Sequence, residues 1–156
     1  MLVLLSGIQD PGNLGTILRS AEAFGATGVI CLPGTVSRWN PKAMRASAGS
    51  VFRLPTLTSS ENKCFERLRA SGIQTLAAMP HNAQPLDQFD LRQPIALVIG
   101  AEGSGLSPEL AAQCDASITI PCPGPVESLN AAVAASVLLY EASRQRSTPD
   151  TSHPIE

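Results

Sequence analysis

Aromatic residues are scarce in this chain: one Trp, one Tyr and four Phe make up 4% of its 156 residues. That scarcity argues against the aromatic platforms on which single-strand binders stack successive bases. Histidine is scarcer still, and neither His81 nor His153 lies in a Gly-rich loop. The four cysteines, Cys31, Cys64, Cys114 and Cys122, form no C-x-x-C pair and lie apart from both histidines, so no metal site is expected. Nor do they suggest a disulfide framework, which fits a reducing cytoplasm. No Gly-Lys-Ser/Thr occurs, which excludes a Walker A loop. The apolar stretch AAVAASVLLY falls short of the roughly 20 residues a bilayer requires. The start, MLVLLSGIQDP, lacks the basic region of a signal peptide, so a soluble protein without a membrane partner is expected.

Acidic residues are missing from one long stretch. None occurs between Glu22 and Glu61, where Arg38, Lys42, Arg45 and Arg53 all fall. A locally basic surface is one reading and a solvated loop and helix face the other. The net charge of −2 and pI near 5.7 weigh against strong binding to nucleic acid.

What is present is a regular alternation. Continuous apolar runs at 2–6, 28–32, 73–79, 95–100 and 116–121 read as buried strands. Helical patterns lie between them, at about 14–24, 41–48, 60–70 and from Ser107-Pro108 onward, with a last Ala-rich helix over 129–145. Asn13 is the expected cap of the first helix and Ser128 of the last, VFRLP (51–55) reads as a short strand, and 80–90 as loop. The pattern predicts one α/β domain, a mostly parallel sheet with helices on both faces, over 1–146, and a disordered tail over 147–156.

In such sheets ligands bind beyond the carboxyl ends of the strands. Three loops there are rich in Gly, Pro and small polar residues: DPGNLG, GAEGSGL and PCPGPVESLN. The glycines Gly100, Gly103 and Gly105 do not follow the G-x-G-x-x-G order of a dinucleotide site. Glu102 and Glu127 have no partner in sequence, and Ser128 has no histidine near it, so a hydrolase triad is unsupported. The remaining chemistry is a group transfer in which a cofactor carries the reactive atom.

NLGTILRSAEAFGA (13–26), IALVIGAEGSGLS (95–107) and ITIPCPGPVESLNAAVAASVLLYE (118–141) resemble, in order and spacing, the three motifs of the SpoU/TrmH RNA 2′-O-ribose methyltransferases. PKAMRASAGSVFRLP (41–55) resembles a further segment of the ribosomal-RNA and transfer-RNA branches. The resemblance implies a C-terminal deep trefoil knot, a rare exception to unknotted topology. It implies methyl transfer from S-adenosylmethionine to a ribose 2′-OH of ribosomal or else transfer RNA, by a homodimer. It gives catalytic roles to Asn13, Arg19, Glu102, Ser128 and Asn130. Cofactor contacts fall to Leu76, Ala77, Ala78, Gly100, Glu102, Gly103, Gly105, Ile120, Cys122, Ser128 and Leu129.

A guanidinium is too weak an acid to serve as a base at neutral pH, so Arg19 suits phosphate binding and polarisation of the hydroxyl. By spacing alone it is an exposed helix residue. Cys122 stands where the family commonly has Met, and Ala131-Ala132 where it has Val-Ser, which touches substrate choice more than methyl transfer. Many ribosomal members carry an RNA-binding domain ahead of this region. None precedes it here, so the chain reads as a domain fragment or a minimal member. A non-catalytic RNA-binding module of the same fold is the alternative.

Overall fold

The computed structural model describes residues 1–147. Seven strands form one sheet: β1 (Leu2–Leu5), β2 (Gly28–Cys31), β3 (Thr56–Thr58), β4 (Gln74–Ala78), β5 (Gln84–Pro85), β6 (Ile95–Ile99) and β7 (Ala116–Thr119). Their spatial order is β3-β2-β1-β6-β4-β7-β5, and every pairing is parallel. All carboxyl ends therefore share one edge. The chain steps outward from β1 to β3 and then returns to build β6 and β4 on the other side of β1, which creates the crevice where such sheets bind ligands.

The strands are apolar throughout because both faces are covered. Along β6, Ile95, Leu97 and Ile99 point into one core and Ala96 and Val98 into the other. The first core is closed by α1 (Pro11–Ala23), α2 (Pro41–Ala46), α3 (Ser50–Arg53) and α6 (Ala131–Ser147). The second is closed by α4 (Glu61–Ala70) and α5 (Pro108–Gln113). Each large side chain so buried contributes about 1.5–3 kcal/mol. Helices α1 and α2 touch through Gly15, where a Cβ would lie 2.5 Å from that of Ala46.

Several local expectations are corrected. Asp10, not Asn13, caps α1: its carboxylate accepts the Asn13 N–H at 2.9 Å, and Pro11 takes the first helical position, where its missing N–H costs nothing. Asn130, not Ser128, caps α6, its carbonyl accepting from Ala132 and Val133 N–H at 2.9 and 3.1 Å. VFRLP is no strand. Ser50–Arg53 turn as α3 because Glu22 holds both ends, accepting from the Ser50 hydroxyl at 2.5 Å and from Arg53 at 2.7 and 2.9 Å. The sequence 80–90 contains β5 and a single turn of tight helix, Leu86–Gln88. Helix α6 reaches Ser147, one residue into the expected tail; 148–156 lie outside the described residues.

Candidate ligand cleft

Three loops leave the carboxyl ends of β1, β6 and β7 and meet. The first brings Asn13, in the opening turn of α1. The second is the Gly-rich 100–106, folded back on itself by a bridge between Ala101 and Gly105. The third, 120–130, runs from β7 to α6. They are joined by one hydrogen-bonded set. Asn13 Nδ2 donates to Glu102 Oε2 at 3.1 Å, and Asn130 Nδ2 donates both to Asn13 Oδ1 at 3.2 Å and to Glu102 Oε1. Because Asp10 does the capping, the Asn13 side chain is free for this task.

Beside the set lies a cleft of about 480 Å³. Its floor is apolar, with Ile99, Ile118 and Leu138 among the lining residues; its rim carries Glu102, Glu127 and Ser128. The residues 121–128 are all exposed and, among the described residues, make no backbone–backbone hydrogen bond. Their carbonyls, and the N–H groups of Cys122, Gly124, Val126, Glu127 and Ser128, are available to a ligand. Gly100 is fixed by close approach: a Cβ there would lie 2.5 Å from Leu106 N.

Of the residues singled out from sequence, Ala78, Gly100, Glu102, Gly103, Gly105, Ile120, Cys122, Ser128 and Leu129 line the cleft. Leu76 and Ala77 do not; they are fully buried, one in each core layer, and the strand reaches the cleft only at Ala78. Asn13 and Asn130 join it through Glu102. Arg19 stands apart, exposed on α1 and outside the lining. Six residues along a helix carry it about 9 Å from Asn13 and to another face. His81 belongs to no motif of the sequence, yet it lines the cleft with Met79, Pro80 and Asn82, because the loop after β4 opens onto it. The alternation of strands marked that loop as a carboxyl-end loop; its lack of glycine hid it.

Two of the four cations of the basic stretch are neutralised by carboxylates. Arg53 pairs with Glu22 at 2.7 Å and Lys42 with Asp10 at 3.5 Å, while Arg38 donates to Thr56 O. Among the described residues, no cluster of His, Cys, Asp and Glu could hold a metal ion, and no helix is long and apolar enough to cross a membrane.

A doubly covered parallel sheet, with a small-molecule-sized cleft at the carboxyl ends beside its crossover point, defines a ligand-binding α/β domain. Residues 1–140 match the model of the SpoU rRNA methylase family, and the chain belongs to that family. A Synechocystis protein described as an uncharacterized tRNA/rRNA methyltransferase is 40% identical over 98% of this chain and 41% of its own length. The 23S rRNA (guanosine(2553)-2′-O)-methyltransferase RlmP of Bacillus subtilis is 34% identical over 89% of this chain and 56% of its own. The chain thus spans about half the length of the curated relatives it matches. Among solved structures, the SpoU methyltransferase AviRb from Streptomyces viridochromogenes, in complex with the cofactor AdoMet, superposes with a TM-score of 0.88 at 40% identity, over 94% of this chain and 60% of that one.

Proposed function

We propose that this chain transfers a methyl group from S-adenosylmethionine to a ribose 2′-OH of structured RNA, ribosomal RNA first and transfer RNA second. The observation that carries the reading is the convergence of Asn13, Glu102 and Asn130, from three separate loops, at the rim of one cleft.

The cleft suits the cofactor. Its volume of about 480 Å³ lies within the roughly 300–1,000 Å³ of small-molecule sites. Its apolar floor suits a flat base, and the free main chain of 121–128 suits the polar groups. Gly100, Gly103, Gly105, Ile120, Cys122 and Leu129 hold it, chiefly by backbone, with Ala78 at the end of β4. When bound, S-adenosylmethionine supplies a methyl on a sulfonium, already activated, so this chain needs only to position the acceptor. Glu102 sets the carboxamides of Asn13 and Asn130, and Ser128 offers a hydroxyl at the same rim. Arg19 binds the phosphate beside the target ribose and polarises the 2′-OH, whose proton passes to solvent as its oxygen is methylated.

Arg19 lies outside the lining of its own cleft, which supports a homodimer in which it serves the partner's. Val133, Val137 and Tyr140 form an exposed stripe on α6, 49%, 37% and 55% open. Beside that stripe, Ser20 of α1 meets Ser136 of α6, hydroxyl to hydroxyl, at 2.7 Å. The trefoil knot belongs to the same proposal: α6 returns from β7, at one side of the sheet, to pack on α1. Action on ribosomal RNA puts the protein in the cytoplasm.

The test is calorimetric titration with S-adenosylhomocysteine, followed by methyl transfer to ribosomal and transfer RNA with the modified sugar mapped. One site per subunit and a 2′-O-methyl product are expected. A folded chain that binds RNA and not S-adenosylhomocysteine would be a non-catalytic module instead.

A further inference from the structure

Scarce as aromatic residues are, the fold brings two of them together at the surface. Trp39 and Phe52 have ring centres 6.1 Å apart and planes inclined by 43°. They stay 51% and 67% exposed, so neither is core. The Arg38 guanidinium lies 4.5 Å from the Trp39 ring centre, and its bond to Thr56 O pins it there. Arg45, on the helix between the two rings in sequence, is exposed, and no hydrogen bond or ion pair engages its side chain among the described residues. A groove lined by Arg38, Trp39, Leu57 and Thr58 runs beside the indole. Single exposed apolar side chains are ordinary, but an aromatic pair with cations interleaved and no acid in the segment is not.

One ring of the pair comes from the edge of the sheet that bears the cleft. The loop carrying Trp39 leaves the carboxyl end of β2, two strands from β6, which is about 10 Å. Three residues after Trp39, Lys42 reaches Asp10, the residue that caps the helix bearing Asn13.

We propose that Trp39 and Phe52 form a stacking subsite for an unpaired nucleobase flanking the target ribose, with Arg38 and Arg45 facing the adjacent phosphates. The proposal rests on the methyltransferase reading for its RNA, and on the rings and charges for its chemistry. Every base has a face to stack, and a cation held over one face of the indole leaves the other face to the base and favours a polyanion over a protein surface.

Trp39 is the sole tryptophan, so intrinsic fluorescence reports on it directly. The whole chain is titrated at low salt with a short oligouridylate and, separately, with a blunt RNA duplex. The expected result is saturable quenching by the oligouridylate and not by the duplex. Affinity, followed by anisotropy of a labelled strand, falls about tenfold or more in Trp39→Leu and Phe52→Ala, the usual scale of one base stack. Trp39→Phe keeps an aromatic face and binds like the unaltered chain. S-adenosylhomocysteine affinity stays the same in all three. Absence of quenching overturns the proposal, as does equal RNA affinity in the Leu and Ala variants. A fall in the molecular mass of the assembly in those variants overturns it too, since the patch then serves a second copy. Failure of the unaltered chain to bind S-adenosylhomocysteine removes the methyltransferase reading instead, and the quenching still decides the subsite.

Discussion

Asn13 and Glu102, 89 positions apart, meet at 3.1 Å through a carboxamide N–H donated to a carboxylate oxygen. With Asn130 they tie the first, second and third loops at one point, so the cleft's rim is set by a contact rather than by any one loop. Glu102→Ala removes the acceptor for both amides. The groups are exposed and water can replace it, so stability should fall by only about 1 kcal/mol. Methyl transfer should fall at least tenfold, because positioning is what the rim supplies. Paired urea melts and single-turnover rates check this; equal losses in both would mean the set merely holds the fold.

Much of this was legible. Apolar runs marked β1, β2, β4, β6 and β7, and the loops after β1, β6 and β7 stood out by composition. What escaped detection was decided by tertiary partners. Val51 and Phe52 favour a strand locally, yet Glu22 fastens Ser50 and Arg53 into a helical turn. Asn13 has the chemistry of a cap, but Asp10-Pro11 captures the helix start three residues earlier. Leu76 and Ala77 looked like cleft residues because their strand ends there; pleating turns both into the cores. His81 carried no local signal, since only the sheet order brings the loop after β4 beside those after β6 and β7.

The two candidates for the α1 cap separate cleanly. Asp10→Ala should cost about 1 kcal/mol of stability, the usual loss for an N-cap. Asn13→Ala should cost less stability and more activity, since its side chain points at Glu102 and caps nothing. Denaturant midpoints and methyl-transfer rates on the same two proteins decide it; the reverse ranking would return the cap to Asn13.

Glycine at 100 and at 103 should differ sharply. A Cβ at Gly100 would be driven into the Gly105–Leu106 backbone, whereas at Gly103 it meets nothing and suffers only a φ of 77°. Gly100→Ala should therefore destabilise by about 1–3 kcal/mol and abolish S-adenosylhomocysteine binding. Gly103→Ala should cost about 1 kcal/mol and leave measurable affinity. Thermal melts with calorimetry test the pair, and similar behaviour of both would contradict the packing at Gly100.

Val137 lies at the centre of the exposed α6 stripe, 37% open, between Val133 and Tyr140. If that stripe covers a second copy, Val137→Asp buries an unpaired charge at the interface and should give a monomer by light scattering. Its melting temperature then ceases to depend on concentration. On the proposed role of Arg19 at the partner's cleft, activity should vanish with the dimer. A dimeric Val137→Asp protein would move the interface elsewhere.

Glu22 supplies a pH signature. Hydrogen bonds from Arg53, and then from Ser50, hold its carboxyl down from an ordinary 4.5 to about 2. A carboxylate with a depressed folded pKa binds protons more readily when unfolded. Its contribution is therefore complete above about 4.5 and lost as the pH falls toward 2. The pair is exposed, so the effect is modest and salt-sensitive. Glu22→Gln should keep the bond from Ser50, lose the ion pair with Arg53, and melt lower than the unaltered chain at pH 7. The two melting curves should converge as the pH is taken down through that window, and a constant gap between them would show that the Arg53 ion pair adds nothing to the anchoring of α3.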